Sequence, residues 1–270
     1  MISKRLVEEL RKRTRDALKF SKQEEEKGFD LHRKSIVFDS LSPRDPTVLT
    51  TVIEAEIDKM LDAGKTFPEI QGRIFGHPSV QLDLIRDTEA REKYAGVWDW
   101  SGVTAINRSL PNDSLQSAIS GISYETYKLE SLRDVVVKAI CAEDVKRANR
   151  EGKHAVMWNL QNTLPFGGGV DVECELGNID LLYRLGVRAV QLTYNLRNFV
   201  GDGCTERYQS GLSYFGLRVV ERLNELGILV DVSHCGLKTT MDAIEASNDP
   251  VAATHVGCKA VHHHNRNKTD

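Results

Sequence analysis

His234 and His255 are the residues whose type and spacing point most directly to chemistry. Each closes a short apolar run, LVDVSH and VAATH, and each follows a hydroxyl residue, Ser233 or Thr254. Read as successive parallel strands, these runs set neighbouring backbones about 4.8 Å apart. Two imidazoles at such adjacent strand ends can share one metal ion at about 2.0–2.1 Å each, a geometry that suits zinc. A lone strand-end histidine is more often a structural residue, but two side by side argue for ligation. Two ligands are too few for tight zinc binding, so a third donor must come from elsewhere.

Other apolar runs also end beside polar side chains: Asp39, Asn107, Asn159 or Gln161, and Tyr194. Asp39 and Asn107 read as turn formers. Beyond His255 lies the run His262, His263 and His264, of which His262 and His263 read as surface residues. Arg266 follows, and a fixed guanidinium near a metal suits a substrate carboxylate because it can pair with both oxygens. Spacing alone leaves a plain surface arginine equally open. Cys235, next to His234, is discounted as a ligand because adjacent strand residues face opposite ways. There is no GxSxG, no HExxH and no supported Cys–His pair. The glycines Gly167–Gly169 fit no phosphate-binding pattern, and Ser213 reads as a helix N-cap.

These residues need a frame that brings strand ends together. From Ser35 onward, short apolar runs alternate with longer amphipathic segments: Ser35–Asp39, Val103–Asn107, Ala155–Leu160, Ala189–Tyr194, Leu229–His234 and Val251–His255. Helical patterns at Leu132–Ala148, Ile179–Leu185, Tyr214–Leu226 and Leu237–Ala246 separate the later runs, and Gly186 and Gly227 close two of them. This alternation predicts an α/β fold with a parallel sheet, of the (β/α)8 TIM-barrel type, in which catalytic groups gather at the strands' carboxyl ends. About six strands are read where a closed barrel needs eight, so the expectation is an incomplete barrel. Two strand–helix units would belong to a longer chain, or another chain would cover the open edge.

Residues 1–34 read as a charged helical arm, with one helix over residues 2–27, and residues 35–270 as the partial barrel. A helical insertion is expected at about 41–101, with helices at Thr51–Ala63 and Ser79–Tyr94. The chain has 270 residues and a net charge of −3, so no electrostatic bias points to nucleic acid. No apolar run is long enough for a membrane span or a signal peptide. The five cysteines are odd in number and irregularly spaced, which argues against a disulfide framework and for a cytoplasmic protein.

The stretch from about Val187 to Asp270 resembles the membrane dipeptidase family of zinc peptidases (renal-dipeptidase-like, peptidase family M19). The matching segments are QLTYNLRNFVGDGCTE, GLSYFGLRVVERLNELGILVDVSH and DAIEASNDPVAATHVGCKAVHHHNRNKTD. Weaker similarity reaches back to about Leu132, and the QNT and LTYN patterns are shared with some bacterial members. The resemblance implies a (β/α)8 barrel whose two zinc ions polarise a dipeptide's carbonyl and activate water. By that resemblance His234 and His255 are the two histidine ligands of one metal, and Arg266 is the arginine that holds the substrate carboxylate. Family members often form homodimers, although the sequence carries no interface signal.

Three positions depart from the family. Its first strand ends in a His-x-Asp pair, whereas here the stretch is Val37–Ser42 with Asp39 as its carboxylate. Its bridging glutamate corresponds to Gln161, and an uncharged amide cannot bridge two dications as a carboxylate does. Its substrate-contacting histidine corresponds to Tyr194, whose phenol can still donate to an oxyanion. The expectation is therefore a zinc-dependent dipeptidase-like hydrolase with one zinc rather than two, Tyr194 and Gln161 at the reacting centre, and a small peptide or amino-acid-derived substrate. A family member that has lost hydrolysis and serves as a binding or biosynthetic accessory protein is the rival. A metal-dependent hydrolase or lyase of a modified amino acid or amide is a third reading.

Overall fold

Ser21 and Glu24 explain why the charged N-terminal stretch forms two helices rather than the single one expected. In the computed structural model, which describes residues 4–43, 51–66, 68–70 and 86–270, helix α1 spans Lys4–Leu18 and α2 spans Lys22–Lys34. The Ser21 hydroxyl accepts from the Glu24 amide while the Glu24 carboxylate accepts from the Ser21 amide, a capping box that starts a new helix. Lys19, at φ 56°, turns the chain between them, and Arg15 pairs with Glu25 at 2.5 Å. These helices belong to one folding unit, Met1–Val37; Phe38–Asp270 forms the second.

The second unit is a strand–helix alternation. Its strands are β1 (Phe38–Ser42), β2 (Ala105–Leu110), β3 (Val136–Lys138), β4 (His154–Leu160), β5 (Val187–Gln191) and β6 (Leu229–Asp231). Its helices are α3 (Thr51–Asp62), α4 (Thr88–Ser101), α5 (Leu115–Ser131), α6 (Ala142–Arg150), α7 (Val172–Leu185), α8 (Tyr214–Glu225) and α9 (Leu237–Ala246). The expected helix Ser79–Tyr94 begins outside the described residues.

All strand pairings are parallel, in the order β1-β2-β4-β5-β6, with β3 beside the start of β4. The sheet curls into a half-barrel, the incomplete TIM-barrel-type arrangement read from the sequence. At its centre β4 buries Val156, Trp158 and Leu160 on one face and Ala155 and Asn159 on the other, as a strand covered on both faces must. Tyr94, Trp98, Phe166, Leu182 and Leu223 fill the layer between the sheet and its helices.

Further elements differ from expectation, and α5 has no counterpart among the expected helices. The predicted helix Leu132–Ala148 is instead the strand β3 followed by α6, because Val135, Val136 and Val137 form a β-branched run that prefers extended backbone. The sixth strand, Val251–His255, is reduced to one parallel bridge, Asp231 with Ala252; Ala252 donates to Val230 and Val232 donates to Ala252. Helix α9 matches its expected bounds, and Gly186 (φ 113°) ends α7 in a conformation that favours glycine.

Polar side chains mark the carboxyl halves of the strands. Asn107, read as a turn former, is buried within β2 and donates to the Ser40 carbonyl at 3.0 Å. Asn159 donates to Asn107 Oδ1 at 2.9 Å and accepts from Ser109 at 3.2 Å. This ladder staples β1, β2 and β4 together, and Gln191 and Asp231 sit opposite one another at the ends of β5 and β6. Asp39 lies exposed in β1, where it accepts from the Leu41 amide.

Candidate metal centre

The chain leaves β6 at Asp231, and His234 follows in left-handed backbone at φ 60°. That turn redirects a side chain that a continued strand would have aimed elsewhere. His234 is 8% exposed, and its Nδ1 meets Asn195 Oδ1 at 2.6 Å. An amide oxygen only accepts, so Nδ1 is the donor and Nε2 keeps the lone pair. Tyr194 stacks on the imidazole, with centroids 4.1 Å apart and planes 21° apart. Asn195, also left-handed at φ 62°, is fixed through its carbonyl, which accepts from the Thr205 amide and hydroxyl.

The His255 ring lies 5.0 Å from that of His234, tilted by 56°. Its Nδ1 is 2.8 Å from the Thr254 hydroxyl, and its backbone amide donates to Ser233 Oγ. Its Nε2 is buried and has no hydrogen-bond partner. Arg266 donates through Nη2 to the His255 carbonyl at 3.1 Å, while its Nη1 is buried and unpaired. Lys268 donates to the Cys235 carbonyl and to Thr240, clamping the loop after β6.

Burial pushes the His234 imidazole down to about 3, and Arg266, then His255 and Lys268, act in the same direction. His255 is also lowered by burial, against the opposing pull of Asp231. Burial lowers Arg266 and Lys268 as well. Both imidazoles are thus neutral at neutral pH, the form that ligates metals.

Four of the expected site residues come together: His234, His255, Tyr194 and Arg266. Gln161 follows β4, and its backbone carbonyl, not its side-chain amide, is tied in by Gln191 at 2.7 Å. The Gln161 amide makes no hydrogen bond to the histidine pair. His262, His263 and His264 are exposed. Cys235 is buried, with its sulfur accepting from Thr193. A cavity of about 290 Å³ is lined by Cys204, Gln209, Cys235, Asn267 and Lys268; neither histidine borders it.

Sequence reasoning missed the residues that hold the loops. Asp202, 1% exposed, accepts from Arg197 and from the Ser210 and Gly211 amides. Asn198 donates to Asn162 and Thr163 and accepts from Val200 and Gly201, locking the QNT segment to the LTYN segment. Asn195, Asp231 and Thr254 stand behind the two histidines. Asp231 and Thr254 lie within three residues of a histidine and Asn195 adjoins Tyr194, which was the available signal.

The pair fits a divalent metal such as zinc as an open half-site. Two neutral imidazoles face the same small region, and the buried His255 Nε2 has no partner in the protein. Among the described residues no third histidine, cysteine, aspartate or glutamate joins them.

Residues 46–270 match the sequence profile of the membrane dipeptidase family (peptidase family M19). A dipeptidase of Clonostachys rogersoniana, verJ, is 36% identical over 160 residues, covering 58% of this chain and 40% of that protein. A dipeptidase of Claviceps purpurea, tcpJ, is 29% identical over 198 residues, covering 70% of this chain and 44% of that protein. This chain therefore spans less than half the length of these relatives. The crystal structure of an amidohydrolase from Pseudomonas aeruginosa superposes with a TM-score of 0.64 at 26% identity, covering 89% of this chain and 58% of that one. A metallopeptidase from Rhodobacter sphaeroides, solved with a phosphinate mimic of the dipeptide L-Ala-D-Ala, shares the fold at a TM-score of 0.58 and 18% identity, with 70% and 66% coverage. With fungal and bacterial relatives matched along most of its length and the half-barrel in common, the chain belongs to the membrane dipeptidase family.

Proposed function

We propose that this protein is a metallodipeptidase-like hydrolase acting on a dipeptide or a similarly small amino-acid derivative, with one zinc ion held by His234 and His255. The observation that carries the reading is a pair of buried, unpaired atoms in one place. His255 Nε2 is a ring nitrogen without a partner, and Arg266 Nη1 is a charged donor without an acceptor. A metal answers the first, and the carboxylate of a dipeptide answers the second. When bound, the metal supplies the Lewis acidity that polarises the scissile carbonyl.

The protein's own groups then orient and stabilise. Arg266 holds the terminal carboxylate and so sets the register of the peptide bond against the histidines. Tyr194, stacked on His234, offers its phenol O–H to the oxygen that gains charge as the carbonyl becomes tetrahedral. Gln161, at the position of the family's bridging glutamate, carries no charge, which favours one metal over two. The five cysteines are unpaired, in keeping with a reducing cytoplasm. No described helix is long and apolar enough to cross a membrane.

The test is metal content together with hydrolysis of Ala-Ala and Gly-Leu, with His234→Ala as the control. The expected result is about one zinc per chain and turnover that the substitution abolishes; a protein with neither metal nor turnover overturns the reading. The lack of a third ligand among the described residues favours a second reading, a binding or biosynthetic accessory protein that has lost hydrolysis. In that case dipeptides bind without turnover and Gln161→Glu does not raise zinc affinity.

A further inference from the structure

The two hydroxyl residues that precede the histidines are not equivalent, and one belongs to a directed chain of hydrogen bonds. Asp231, 4% exposed at the end of β6, accepts through Oδ1 from the Ser233 amide at 2.8 Å and the Thr254 amide at 3.3 Å. Its Oδ2 accepts from the Thr254 hydroxyl at 2.6 Å. A hydroxyl has one proton, and here it is committed to the carboxylate. Thr254 Oγ1 can then only accept from its other neighbour, His255 Nδ1, 2.8 Å away. The Ser233 hydroxyl, 3.4 Å off, closes the set by accepting from the His255 backbone amide.

We propose that Asp231 and Thr254 are positioning residues that place the His255 proton on Nδ1, so that Nε2 faces the metal region as a lone pair. The chain runs carboxylate, hydroxyl, imidazole, and its polarity starts from the only member that cannot donate. Asn195 does the same for His234 in a single step. The two histidines thus reach the same tautomer by different routes: a neutral amide on one side and a charged carboxylate relayed through a hydroxyl on the other. Outer hydrogen bonds of this kind commonly change metal affinity by about 10–100-fold. The inference rests on the metal site proposed above but makes a claim about the metal-free protein as well.

The experiment is ¹⁵N NMR of histidine-labelled protein at pH 8 without metal, with His255 assigned by loss of its signals in His255→Ala. A zinc titration against a competing chelator accompanies it. Wild type is expected to show a proton-bearing Nδ1 and a pyridine-type Nε2 on His255. In Asp231→Asn the amide NH2 must replace Oδ2, because Oδ1 still accepts two backbone amides. The Thr254 hydroxyl then turns to donate to His255, the proton moves to Nε2, and zinc binds roughly 10–100-fold more weakly. Thr254→Val should weaken zinc similarly, while Thr254→Ser, which keeps the hydroxyl, should stay close to wild type. A wild-type His255 carrying its proton on Nε2, or an Asp231→Asn protein with unchanged tautomer, overturns the proposal. Should Asp231→Asn not fold, the wild-type tautomer and the Val–Ser pair at Thr254 decide it. A wild type with the expected tautomer that binds no zinc sinks the metallohydrolase reading and leaves the proton placement supported.

Discussion

Arg266 carries a guanidinium of which one arm is engaged with the His255 carbonyl and the other is buried with no partner. A lysine there would keep the charge and lose the planar fork that meets two carboxylate oxygens at once. Charge-assisted hydrogen bonds are worth about 1.5–3 kcal/mol, which corresponds to roughly 10–100-fold in binding. Arg266→Lys is therefore expected to raise KM for a dipeptide by that factor with little change in kcat. For the same dipeptide with its carboxyl terminus amidated, wild type and variant should be alike. Steady-state kinetics on the two substrates checks this, and an equal loss on both would move Arg266 out of the substrate site. At this scale residue type and spacing nominated His234 and His255, and the resemblance to the dipeptidase family added Tyr194 and Arg266. The supporting residues were not legible, because a carboxylate three positions before a histidine looks the same whether it serves that histidine or the one on the next strand.

At the scale of elements, the loop between β5 and α8 does much of the positioning, and it depends on a glycine. A Cβ at Gly203 would collide with the Asn195 carbonyl, the backbone group beside the amide that orients His234. Gly203→Ala must push this segment aside, at a cost of about 1–3 kcal/mol for overpacking, and should weaken zinc binding along with stability. Gly177 is the contrast: it is exposed within α7, has no neighbour within 4 Å of the added Cβ, and is helical. Gly177→Ala should stabilise by about 0.5–1 kcal/mol and leave zinc binding alone. Thermal melts and zinc titrations of both variants test this, and a Gly203→Ala protein with wild-type zinc affinity would show that the loop does not hold Asn195. Helix caps and apolar runs made most of these elements readable. One exception was Leu132–Ala148, where a helical pattern hid the valine run that forms β3, since short apolar runs carry no unambiguous period.

For the whole molecule, a metal that binds only the folded state must stabilise it by mass action. At a free zinc concentration a hundredfold above Kd the gain is about 2.7 kcal/mol. For a domain of this size that is a rise in Tm of about 5–10 °C. Wild type should show that shift, a chelator should reverse it, and His234→Ala should melt at the same temperature with and without zinc. A shift that survives in His234→Ala would place the metal elsewhere. The two histidines lie on segments separated by α9, so such a metal also ties the end of β6 to the segment that follows α9.

The sequence by itself determined the alternation of strands and helices, because apolar periodicity and glycine caps are local properties. It also pointed to the strand ends as the place for chemistry, since strand ends of a parallel sheet gather at one rim whatever the details. Only the tertiary structure decided how the site is held. The left-handed turn at His234, the stacking of Tyr194 on it and the relay from Asp231 through Thr254 to His255 join residues from different strands. Gln161 shows the same division from the other side: the sequence marks the missing charge, while the fold leaves its amide unbonded to the histidines and uses its carbonyl instead. Hydrogen bonds between strand ends depend on register and on which way each strand exits the sheet, and neither is written in the local order of residues.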